Sequence, residues 1–121
     1  MTGPFLVVRL FPLALWVGAL AYFSLAPEVA SPAGIKVWDK FSHFAAYAVL
    51  ALLLVRVVTC WREPFLRWLV ISWLLCCGYG LLLETLQWGM ALGRQFEAGD
   101  LLANGLGALA GCAIFCRKAK R

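Results

Sequence analysis

Leu101-Leu102-Ala103-Asn104-Gly105-Leu106-Gly107-Ala108-Leu109-Ala110-Gly111-Cys112-Ala113-Ile114-Phe115-Cys116 runs for sixteen residues without a charge and then meets Arg117, Lys118, Lys120 and Arg121. As a helix it covers about 24 Å, against a hydrocarbon core of roughly 30 Å, so a few flanking residues complete a membrane span. Its small residues, including Gly107 and Gly111 at GxxxG spacing, favour close approach of a neighbouring helix. Three further apolar runs precede it: Phe5 to Ala26, broken by Arg9 and Pro12; Phe41 to Val55, between Lys40 and Arg56; and Trp68 to Leu83, continuing through Glu84 and Gln87 to Ala91. Pro27, Pro32 and Gly34, then Glu63 and Pro64, then Gly93 to Gly99 separate them.

The composition agrees. Of 121 residues, 64% are hydrophobic without counting glycine and 14% are charged, with a mean hydropathy of +0.85. A soluble domain has about 25% charged residues, so this chain lacks the polar surface a water-facing globule needs. The sequence predicts an all-α membrane protein, an antiparallel up-and-down bundle of four transmembrane helices in one domain over residues 1–121. The spans fall at about 5–26, 39–59, 66–91 and 100–116. A cleavable signal peptide is the competing reading of the first run, which exceeds the ~7–15 apolar residues of a signal core.

The net charge of +5 does not indicate a nucleic-acid partner, because the basic residues sit at the ends of apolar runs. An even number of spans puts both termini on one side. Eight of the eleven basic residues fall with the termini and the second connection: Arg9, Arg56, Arg62, Arg67, Arg117, Lys118, Lys120 and Arg121. Lys36, Lys40 and Arg94 fall on the other side, so the positive-inside rule predicts cytoplasmic termini. Cys60, Cys76, Cys77, Cys112 and Cys116 show neither a disulfide framework nor metal spacing and read as packing residues. Trp38, Trp68 and Trp88 read as interface anchors, and Gly78 and Gly80 as sites of close helix contact.

The remaining ionisable and amide groups gather at the predicted outer end. Asp39, His43 and Tyr47 recur every four residues, Glu84 and Gln87 are three apart, and Asp100 and Asn104 are four apart, so each set shares a helix face. Convergence of three span ends would bring these groups together. Asp39 and Asp100 also suit helix N-termini, where they complement the macrodipole, and His43 suits a hydrogen-bonded bundle position. Glu84, between Leu83 and Leu86, needs a partner or a wet cavity. Gln87 is its expected hydrogen-bonding neighbour, and Arg94, in the adjoining turn, its expected ion-pair partner.

Asp39-Lys40-Phe41-Ser42-His43-Phe44-Ala45-Ala46-Tyr47, then Glu84-Thr85-Leu86-Gln87, then Arg94, then Asp100 through Gly107 resemble, in this order and at these intervals, the VanZ-like family of small bacterial membrane proteins. The likeness runs from about Ser24 to Gly111. It implies a multi-pass protein of the bacterial cytoplasmic membrane, in a family whose founding member is linked to resistance to the glycopeptide teicoplanin. Asp39, His43, Glu84, Gln87, Arg94, Asp100 and Asn104 match its motif residues. Gly99 departs from the pattern, at a place where an apolar residue is more usual.

Three functions follow as alternatives. The first binds or modifies a lipid headgroup or lipid-linked envelope glycan through Asp39, His43, Tyr47, Glu84, Gln87, Arg94, Asp100 and Asn104. The second is an enzyme using Glu84 or Asp39 as general base, with His43 as its acid or base partner. Ser42, one residue from His43, is expected to face about 100° away on the helix, which argues against a covalent serine. The third is a structural subunit of an envelope complex. No cofactor is assigned. A divalent cation on Asp39, Glu84, Asp100 and His43 is compatible with the residue types, but nothing fixes a coordination number. Membrane lipids are the expected partners, with a lipid-linked cell-wall or polysaccharide precursor as a further one.

Overall fold

A computed structural model describes residues 3–26, 36–59, 65–90 and 96–120. Among them the chain forms four helices and no strand: α1 (Pro4–Leu25), α2 (Lys36–Val58), α3 (Phe65–Gly89) and α4 (Ala98–Ala119). All four are long and apolar enough to cross a membrane. The boundaries have local causes. Gly3, at φ 107°, adopts a conformation open to glycine, and Pro4 follows at the first helical position, where its missing N–H costs nothing. Helix α1 stops at Ala26, which is extended as a residue preceding proline must be, and whose N–H still bonds the Tyr22 carbonyl at 3.0 Å. Helix α4 has Asp100 in its first turn and Arg117 and Lys118 in its last, both signs matched to the helix dipole.

Cross-helix bonds fix an up-and-down order. Near one end, Arg9 Nη1 donates to the Arg56 carbonyl at 2.9 Å, while at the other Gln87 Nε2 donates to the Ser24 carbonyl at 2.5 Å. Helices α2, α3 and α4 enclose the core, with Tyr47, Leu50, Ala51, Val55, Cys76, Ala108 and Cys112 buried. Helix α1 buries no residue and packs on α2 and α3.

The most extensive packing joins α2 and α4, which run parallel and lie side by side although α3 separates them in the chain. The sequence explains why they meet. A Cβ on Gly107 would collide with the backbone of Phe44, and one on Gly111 with the Ala48 carbonyl and Ala51, so GxxxG is used inside this bundle. Gly80 likewise lets α3 approach: its Cβ would lie 2.8 Å from Asn104 Nδ2 and 3.3 Å from the Tyr47 hydroxyl. Gly78 has nothing within 4 Å, so the expected close contact is absent there.

Aromatic donors lock the helices in ways the spacing did not reveal. Trp16 Nε1 donates to the Ala46 carbonyl (3.0 Å), Trp73 Nε1 to the Gly105 carbonyl (3.0 Å) and the Tyr79 hydroxyl to the Val17 carbonyl (2.7 Å). Each satisfies a donor that lipid could not. Large apolar side chains such as Phe5, Phe11, Tyr22, Leu66 and Leu102 remain exposed and make a lipid-facing belt.

Candidate functional site

The first turns of α2 and α4 lie side by side because of the parallel seam, and their polar residues interlock. Lys40 Nζ donates to Glu97 Oε2 at 3.0 Å and to Asp100 Oδ1 at 3.1 Å. One turn deeper, His43 Nδ1 lies 2.9 Å from Asn104 Oδ1. An amide oxygen only accepts, so Nδ1 carries the proton. His43 Nε2 then faces two carboxylates, 3.8 Å from Asp39 Oδ1 and 3.9 Å from Asp100 Oδ2. These distances exceed direct hydrogen bonds.

Burial grades the cluster. Asp39 is about half exposed, with its side chain at 52%, while Asp100 and His43 are at 10% and 15%. Tyr47, Glu84, Gln87 and Asn104 are buried. Asp39, His43 and Asp100 each offer a ligand atom within 4.8 Å of the others, a set compatible with a cation, with Lys40 already on the second oxygen of Asp100.

Helix α3 contributes Glu84. Its carboxylate interacts electrostatically with Asp100 and His43 and accepts a hydrogen bond from the Glu97 backbone N–H, at the start of α4. Glu84 Oε2 is buried with no hydrogen-bond partner among the described residues. The expected Glu84–Gln87 bond is replaced. Gln87 is turned toward α1 and donates to the Ser24 carbonyl, since residues three apart on one helix face still diverge by about 60°, enough to reach different neighbours. Arg94, the expected partner of Glu84, lies outside the described residues.

Between α1 and α2 a cavity of about 190 Å³ opens beside this cluster. Asp39, Ser42 and His43 form its polar wall, and Leu20 and Phe23 its apolar one, with Tyr47 below. Ser42 therefore shares a cavity with His43, contrary to the expectation that adjacency would separate them. A groove between two helices is wide enough to admit side chains about 100° apart on one of them. Lys40 and Glu97 are the site residues that the sequence reading missed. The available signal was the spacing of Lys40 and Phe44, which share the helix face that meets α4.

A bundle of four membrane-spanning helices, with a polar cluster at one end and a cavity beside it, defines a multi-pass membrane protein with an interhelical site. The VanZ/LLP1 family profile matches residues 4–119, nearly the whole chain, and the protein belongs to that family. Neither curated proteins nor solved structures gave a match.

Proposed function

We propose that the protein binds the polar headgroup of a lipid-linked envelope glycan at the outer face of the bacterial cytoplasmic membrane. The observation that carries this reading is the cavity that sets Asp39, Ser42 and His43 opposite Leu20 and Phe23, an arrangement suited to a molecule with a polar head and an apolar tail. The charge balance selects the headgroup. Among the described residues Asp39, Glu97 and Asp100 outnumber Lys40, so hydroxyl donors of a sugar are better matched than a bare phosphate. Arg94, which the sequence pairs with Glu84, is the cation proposed to neutralise that carboxylate. The outer-face assignment rests on the distribution of basic residues. A cytoplasmic reporter fused after Arg121 is expected to be active, and a C-terminus labelled from outside would invert the assignment.

The test of binding uses purified protein in nanodiscs with three probes: a polyprenyl-linked sugar, the corresponding polyprenyl phosphate and phosphatidylcholine. The linked sugar is expected to bind about tenfold or more tightly than the others, and Asp100→Asn or His43→Gln to remove about 1.4 kcal/mol or more of that preference. Equal binding of all probes, unchanged by either variant, would make the cluster a device for helix register in a structural subunit. Altered teicoplanin susceptibility on expression would connect the site to the resistance associated with the family's founding member.

A second reading, acid–base chemistry on the same substrate, draws on the unpartnered Glu84 oxygen and on His43 Nε2 between two carboxylates. Formation of a new product from the linked sugar, lost in Glu84→Gln, distinguishes it from binding alone.

A further inference from the structure

A second cavity lies at the opposite end of the bundle. Helices α1 and α4 both pack on α2 and α3 but barely touch each other, leaving a strip of α2 uncovered between them. The resulting cavity has a volume of about 560 Å³. Val49, Leu52 and Leu53 of α2, with Phe115 of α4, make its apolar walls. Three cations border it, one from each helix: Arg9 of α1, Arg56 of α2 and Lys118 of α4.

Among the described residues no carboxylate lines this cavity. Arg9 is held in place by donating to the carbonyl of Arg56, in the last turn of α2, where the helix leaves carbonyls short of partners. A charge in an apolar segment such as the first run is costly unless it has a role, and topology alone does not require Arg9 to be bordered by cations from two other helices. Arg117 and Lys120 carry the same charge at the same end without lining the cavity. Val49 lies seven residues, or about 10 Å, deeper than Arg56 along α2, so the basic rim stands above an apolar slot.

We propose that this groove binds an anionic glycerophospholipid, with its phosphate on Arg9, Arg56 and Lys118 and an acyl chain along Val49, Leu52 and Leu53. Charge complementarity selects an anionic over a zwitterionic headgroup, and the depth of the apolar wall selects a lipid over a soluble phosphate. The site is independent of the polar cluster at the other end and of what that cluster binds.

The experiment is native mass spectrometry of the full chain released from nanodiscs containing equal amounts of phosphatidylglycerol and phosphatidylcholine of one chain length. The expected result is retention of phosphatidylglycerol over phosphatidylcholine by about tenfold. That preference is expected to fall to near parity in the double variant Arg9→Gln/Lys118→Gln and to persist in Arg117→Gln/Lys120→Gln, which removes as much charge outside the groove. Val49→Trp, with every cation intact, is expected to lower retention by narrowing the acyl slot, and it keeps the test decisive if the charge variant fails to fold. Absence of preference in the wild type, equal loss in both charge variants, unaltered retention in Val49→Trp, or displacement of the lipid by equimolar glycerol phosphate would each overturn the proposal.

Discussion

Gly107→Leu is expected to prevent the bundle from assembling, and Gly107→Ala to destabilise it by about 3 kcal/mol or more, at the upper end of the cost of overpacking. The added Cβ would overlap the Phe44 carbonyl and fall 2.8 Å from the Phe44 carbonyl carbon and 2.9 Å from its Cα. Backbone inside a packed helix cannot rotate away as a side chain can, so relief requires α2 and α4 to separate. Separation also carries Asp100 and Asn104 away from Lys40 and His43, and ligand binding is expected to fall with stability. Gly78→Ala is the matched control, a helical glycine in α3 with nothing within 4 Å, and its stability should change by less than about 1 kcal/mol. Thermal unfolding in detergent measures both. Equal effects at the two positions would show that helix propensity, and not the α2–α4 seam, sets the cost.

Glu84→Gln and Arg94→Gln are expected to be strongly non-additive. Glu84 is buried, and among the described residues Gln87 is engaged with Ser24, and Lys40 with Glu97 and Asp100. One oxygen remains without a partner among the described residues. Arg94, in the connection between α3 and α4, has the planar guanidinium that reaches a carboxylate with two hydrogen bonds. Removing one member of such a pair costs about 3–5 kcal/mol because the other charge is left buried, whereas the double substitution is milder. A double-mutant cycle scored by thermal stability measures the coupling, and strict additivity would exclude the pairing. A stable Glu84→Gln that no longer binds would instead reserve that oxygen for the ligand.

The spans were legible because lipid demands long uncharged runs and charges gather at their ends; α4 begins at Ala98 and ends at Ala119, a short extension of the uncharged stretch. The polar cluster was legible in part, since spacing places Asp39 with His43 and Asp100 with Asn104 on shared faces whatever the packing. Which helices meet was not legible. Small residues mark a close approach without naming its partner, and GxxxG in α4 fits a second copy as readily as it fits Phe44 and Ala48. The parallel seam then decides what spacing cannot. It turns Lys40 from a topology signal into the cation between Glu97 and Asp100. It also leaves the face of α2 that carries Ser42 and His43 toward α1 and a cavity. Gln87 and Trp73 were misread or passed over for a related reason: their partners are backbone carbonyls of other helices, which leave no mark in side-chain spacing.

The claim that the polar end is a ligand site is tested most directly by photo-crosslinking from Phe23, which is 70% exposed and lines the apolar wall of the cavity opposite Asp39 and His43. Replacing Phe23 with p-benzoylphenylalanine keeps an aromatic ring on that wall and reports what enters the cavity in living cells. Mass spectrometry of the adducts is expected to find a lipid-linked glycan far above its abundance in the membrane, and Asp100→Asn in the same background to abolish that adduct. Adducts that follow bulk lipid composition and do not change in Asp100→Asn would contradict the claim.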